Sequence, residues 1–139
     1  MRISRALYDE IVAHARAEAP RECCGLVAAD DGEAVRVYRA GNAYEHPMYG
    51  YRVDEAELYR AHADIEDAGL ALGAIYHSHP RSPAVPSQTD INLAHVPNTD
   101  QPWWPGTIYV IVGLADYPPE VRAWNITAGG YEEVELQVE

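Results

Sequence analysis

Two histidines, His77 and His79, stand one residue apart in the stretch GAIYHSHPRSPAVPSQTD, which ends in Ser87 and Asp90. Imidazole nitrogens and a carboxylate oxygen are zinc ligands. Two histidines with one carboxylate leave a fourth tetrahedral position for water, as catalytic rather than structural sites do. Zinc lowers the pKa of its bound water toward ~7, which makes hydroxide available at neutral pH. Such a site also needs a proton carrier and a donor for the oxyanion formed on attack. Glu22, in PRECCGL, is a carboxylate beside an apolar run, where burial would raise its pKa toward general acid/base use. Ser87 can offer its hydroxyl to a tetrahedral intermediate. It can equally cap the helical turn QTDINLAH, and the two jobs are compatible. Asp90 also suits a first helical turn, where the dipole favours an anion.

These groups can meet only if the chain positions them. Residues i and i+2 of a strand point to one face, so a strand over LALGAIYH that runs on to His79 presents both imidazoles together. Pro80, Pro83 and Pro86 then restrict the return path that carries Ser87 and Asp90. Upstream, ISRALYDEIVAHARAEAP reads as a helix with Ser4 as N-cap, apolar spacing through Leu7, Ile11, Ala15 and Ala19, and Pro20 as its stop. CCGLVAA and AVRVYRA around the turn DDGE read as a hairpin. DEAELYRAHADIEDAG reads as a second helix, opened by Asp54 with Glu57 and closed at Gly69. A short helix over DINLAH, the strand TIYVIVGLA, and a terminal hairpin from EVRAWNIT and YEEVELQVE complete the order. That order predicts an α/β fold, a mixed sheet with helices against it rather than a strict βαβ repeat.

At 139 residues, 47% hydrophobic and 23% charged, the chain is expected to form one globular domain spanning 1–139. It has no apolar run near the ~20 residues of a membrane span. The N-terminal stretch lacks a signal peptide's apolar core, so a cytoplasmic location without membrane association is expected. Ten basic against 22 acidic side chains give a net charge of −12, which repels phosphate backbones and argues against nucleic acid as a partner. The same excess suits a salt-rich cytoplasm or an ordinary acidic protein. Cys23 and Cys24 are adjacent and form no disulfide framework, and Cys24 is expected to be a buried thiol. His14 and His62 fall in helices, facing water or packing singly; His46 and His95 fall in or near loops, and none of the four is assigned to the metal. Trp103 and Trp104, between two prolines, form either a hydrophobic lip for a substrate or a cover for the core edge.

The pattern His77-Ser78-His79, seven residues, Ser87, two residues, Asp90 resembles the JAMM, or MPN+, metalloprotease signature. PRECCGLV looks like that family's first strand, with a glutamate ahead of a Cys-Gly pair, and the resemblance runs from the first helix to the strand after the tryptophans. It implies a cytidine deaminase-like three-layer α/β fold. It also implies one zinc per chain on His77, His79 and Asp90, with Glu22 as acid/base and Ser87 supporting the oxyanion. The implied reaction is hydrolysis of an amide at the C-terminal diglycine of a ubiquitin-like protein. Short stand-alone bacterial members look like the Mec subgroup, which acts on ThiS/MoaD-type sulfur carriers and releases cysteine. There Trp103 and Trp104 would grip the carrier's tail. The chain lacks room for the long insertions that give eukaryotic deubiquitinases their linkage choice, which favours this simpler substrate; a monomer or weak dimer is expected. A non-catalytic MPN-type scaffold is the alternative, though it has no need of a complete ligand set. A deaminase on the related fold would want a Cys-x-x-Cys, which this chain does not have.

Overall fold

The computed structural model describes residues 1–139. In chain order the elements are β1 (Arg2–Ile3), α1 (Arg5–Glu18), β2 (Cys24–Asp30), β3 (Glu33–Ala40), α2 (Glu55–Asp67), β4 (Ala71–His79), α3 (Gln88–Leu93), β5 (Ile108–Gly113), β6 (Glu120–Thr127), β7 (Gly130–Val134) and β8 (Gln137–Val138). All eight strands join one sheet in the order β7-β6-β5-β4-β2-β3-β1-β8. β4 runs parallel to β5 and antiparallel to β2, so the sheet is mixed, as the element order implies.

Alternation along the central strands makes two apolar layers. Val27, Ala74, Tyr76, Val110 and Val112 pack against Ile11, Val12 and Ala15 of α1. Their sequence neighbours Leu26, Ile75, Tyr109 and Ile111 face the other way, toward Ala61 of α2 and Ala94 at the end of α3. The result is three layers, helix, sheet and helices. His77 and His79 share the face of Ile75, so the sheet presents them to the α2/α3 side.

The terminal strands are a departure from the sequence reading. YEEVELQVE divides into β7 and β8, and Arg2–Ile3 forms β1 ahead of the Ser4 cap. Strands of two residues are too short to show a period, and their pairing of Arg2 with Gln137 and Ile3 with Val138 joins opposite ends of the chain. α3 begins at Gln88, as the reading of Ser87 as cap of QTDINLAH implies, rather than at Asp90.

Gly25 shows how closely β2 and β4 are fitted. A Cβ there would collide with the backbone oxygen of Tyr38 and the ring of Tyr76, which is wholly buried. Neither can retreat, so Gly25→Ala is expected to destabilise the protein by about 3 kcal/mol, toward the upper end for overpacking, measured by urea unfolding.

Candidate metal centre

β4 ends in His77 and His79, whose Nε2 atoms lie 3.3 Å apart. Asp90, in the first turn of α3, places Oδ2 3.1 Å from the first and 3.0 Å from the second. Glu22 completes a group whose candidate ligand atoms all lie within 4.8 Å of one another. All four side chains are buried, none more than 6% exposed.

The strand register accounts for Glu22's place. β2 pairs with β4 so that Cys24 stands opposite His77. Ser78, on the reverse face, extends that pairing: its Oγ accepts from the Cys23 N–H at 2.8 Å, and its N–H donates to the Cys23 carbonyl at 3.3 Å. One further step along the same register sets Glu22 across from His79. The middle residue of His-Ser-His thus ties the glutamate to the histidines. Ser87 caps α3 by accepting from the Asp90 N–H at 3.1 Å, while its own N–H donates to Asp90 Oδ2 at 2.9 Å. This reciprocal box holds the carboxylate toward the histidines.

The donor set fits a divalent cation of the zinc type. His79 Nδ1 donates to the Pro83 carbonyl at 2.8 Å, which leaves the Nε2 lone pair directed at the cluster. Two imidazole nitrogens and a carboxylate oxygen then crowd one point, and a shared cation is what relieves such crowding. Glu22 Oε1, His77 Nδ1 and Asp90 Oδ1 are buried with no protein partner. Burial raises the Glu22 carboxyl to about 7, against the opposing pull of His79. Burial also works against ionisation of Asp90, but the His77 and His79 contacts and the Ser87 N–H outweigh it and hold that carboxyl well below its usual range. Cys23 is a poor ligand candidate here, since burial pushes its thiol up to about 12.

Residues 4–127 match the family of prokaryotic homologs of the JAB domain. The chain belongs to that family. This JAB domain is 34% identical over 135 residues to a CysO-cysteine peptidase of Mycobacterium tuberculosis, covering 95% of this chain and 86% of the relative. It is also 34% identical over 137 residues to a desampylase of Haloferax volcanii, covering 94% and 91%. A solution structure of protein DSY2949 from Desulfitobacterium hafniense superposes with a TM-score of 0.82 at 29% identity, covering 99% of this chain and 92% of the other. The fold is shared with AF2198, a JAB1/MPN domain protein from Archaeoglobus fulgidus, at a TM-score of 0.60 and 20% identity over 100% of this chain and 96% of the other. The domain is that of a JAMM-type hydrolase.

Around the JAB-domain cluster lie supports that sequence reasoning missed. Tyr51 stacks on His77 with ring centroids 4.2 Å apart. It is carried by the segment between β3 and α2, which Asn42 closes. That amide donates to the carbonyls of Glu22 and Gly50, each at 3.0 Å, and accepts from the N–H groups of Tyr44 and Arg52 at 3.0 and 3.1 Å. All four of its hydrogen-bonding valences are used. The one available signal was the phrase GNAY, since an asparagine after a strand commonly bonds to backbone.

Trp103 and Trp104 do not touch the cluster. They line a cavity of about 480 Å³ with Tyr51, Ile75 and Tyr109, which adjoins it through the Tyr51–His77 stack. Trp103 is half exposed, and Trp104 tilts against His62. His14 packs singly, buried with Nδ1 2.7 Å from Tyr76 Oη. His95 is buried too, and its Nδ1 donates to the Ile91 carbonyl at 2.6 Å. No helix is long and apolar enough to cross a membrane.

Proposed function

We propose that this protein is a zinc-dependent peptidase that hydrolyses the amide following the C-terminal diglycine of a ubiquitin-like, ThiS/MoaD-type sulfur carrier and releases cysteine. The observation that carries this reading is the buried convergence of Glu22 with His77, His79 and Asp90, in a chain similar over most of its length to a CysO-cysteine peptidase.

His77, His79 and Asp90 would hold one zinc per chain. When bound there, zinc acidifies water and polarises the scissile carbonyl. The chain's own groups do the rest. His79 is held in one tautomer by the Pro83 carbonyl, so its Nε2 stays available. Glu22 Oε1, without a protein partner, takes the attacking water's proton and delivers it to the leaving amine. A carboxyl raised by burial is suited to both transfers. The Ser87 hydroxyl accepts from the Asp90 N–H, which leaves its own proton for the oxyanion. Trp103 and Trp104 form an apolar lip for the carrier's tail along the cavity they line. The carrier is a protein rather than a nucleic acid, in keeping with the net charge of −12. The enzyme works in the cytoplasm as a single-domain monomer or weak dimer.

The test is incubation of zinc-loaded protein with a ubiquitin-like carrier bearing a C-terminal cysteine, followed by intact mass. Loss of one cysteine residue, blocked by a chelator, is the expected result. A carrier mass unchanged over hours sinks the substrate assignment.

A further inference from the structure

The return loop from His79 to Ser87 is fastened at one residue. Ala84 is wholly buried in a segment with three prolines, and both of its backbone groups are taken by side chains of β6. The Ala84 N–H donates to Glu120 Oε1 at 3.1 Å, and the Ala84 carbonyl accepts from Trp124 Nε1 at 2.9 Å. The same Pro83–Ala84 peptide offers its carbonyl to His79 Nδ1 at 2.8 Å and to the Val85 N–H at 2.8 Å. Glu120, the peptide and the imidazole therefore form one chain of hydrogen bonds that ends at the cluster. Gly113, the last residue of β5, makes room for it. A Cβ there would lie 2.8 Å from the Ala84 nitrogen and 3.2 Å from the Pro83 carbonyl carbon. Trp124 is itself fixed, buried between the sheet and an edge contact with Tyr131.

We infer that Trp124 and Glu120 are positioning residues for His79, Glu120 acting on the Pro83–Ala84 peptide through the Ala84 N–H and Trp124 holding Ala84 through its carbonyl in the next peptide, and that together they set the site's affinity for its metal. Neither reaches the cluster. Their effect passes through the one hydrogen bond that selects the His79 tautomer, and outer partners of a ligating histidine typically govern metal affinity by ~10–100-fold. A carboxylate on the peptide N–H also strengthens its carbonyl as an acceptor, so the bond to Nδ1 tightens. Since Glu120 is exposed and Trp124 buried, the tryptophan carries the larger share.

This inference rests on the zinc reading proposed above, and the experiment separates the two. Zinc affinity is measured by chelator competition in Trp124→Phe, Glu120→Ala and Glu120→Gln. The expected result is a loss of about tenfold or more in Trp124→Phe, a smaller loss in Glu120→Ala, and recovery in Glu120→Gln, whose amide oxygen still accepts. In metal-free protein, the His79 Nδ1–H observed by NMR should be held in its bond to the Pro83 carbonyl and protected from exchange with solvent, and should exchange faster in Trp124→Phe. Variant affinities within twofold of wild type, or an Nδ1–H exchange rate that does not respond, overturn the inference while leaving the zinc reading intact. A wild type that binds no zinc defeats the zinc reading, and the exchange measurement then decides the positioning role alone. If Trp124→Phe fails to fold, the Glu120 pair carries the test, because that side chain lies at the surface.

Discussion

Glu22→Gln is expected to retain zinc and to lower kcat by about 10²–10⁴-fold, the range for removing a positioned general acid/base. The amide matches the carboxylate in shape, and His77, His79 and Asp90 are untouched, so metal content measured by elemental analysis should stay at one per chain. The same substitution has a second expected signature in metal-free protein. Burial raises the Glu22 carboxyl to about 7 from an ordinary value of 4.5. A folded-state pKa above the unfolded one means that the native chain binds the extra proton. Its stabilising contribution is full below pH 4.5 and is lost as pH rises through about 7. The charge then buried at pH 8 opposes folding by up to about 3 kcal/mol. Metal-free Glu22→Gln should therefore unfold at higher urea than wild type at pH 8 and at equal urea near pH 4. A side chain that weakens the fold while enabling turnover is what a catalytic position looks like. Full activity in Glu22→Gln, or a wild-type pH profile of stability, overturns the role.

Asp90→Ala is expected to abolish stoichiometric zinc and turnover together, with an affinity loss beyond the ~10–100-fold of an outer-shell partner. Two effects must be separated, because Asp90 also accepts the Ser87 N–H and so closes the box that caps α3. Asp90→Asn separates them. Its amide oxygen still accepts that bond, but it brings no negative charge to two imidazole nitrogens 3.3 Å apart. When metal-free, both variants should lose the attraction of the two imidazoles that holds the Asp90 carboxyl low, and alanine should lose about 1 kcal/mol more than asparagine, the share of the cap. Both should lose the metal. Wild-type zinc affinity in either variant, measured by chelator competition, removes Asp90 from the ligand set.

The parts of the site that follow local rules were legible in the sequence. Strand period two puts His77 and His79 on one face, and the serine-to-aspartate spacing places Ser87 and Asp90 in one helical turn, where the structure has them. The core helices were legible for the same reason. Ser4 and Asp54 cap α1 and α2 as their sequence contexts imply. What was not legible depends on contacts between distant segments. Nothing near Trp124 indicates that its indole N–H meets Ala84, forty residues earlier in the chain. Nothing near Gly113 indicates that a loop will lie on its missing side chain. Tyr51 resembles the other nine tyrosines until the fold stacks it on His77. The burial of His14 on α1 likewise needs Tyr76 from β4. Period and propensity describe an element, whereas these roles belong to pairs of elements.

The pairing of β2 with β4 has a consequence for the time at which the protein acquires its chemistry. When synthesis reaches Asp90, every group of the cluster has been made, yet Glu22 comes within reach only after the antiparallel register joins Cys24 to His77. The turn that orients His79 waits longer still, for Trp124 to leave the ribosome and find Ala84. A partly made chain is thus a peptidase with its parts scattered, harmless to newly made neighbours. Zinc uptake during refolding should lag behind helix formation and coincide with completion of the sheet, so the metal itself reports that the enzyme is finished.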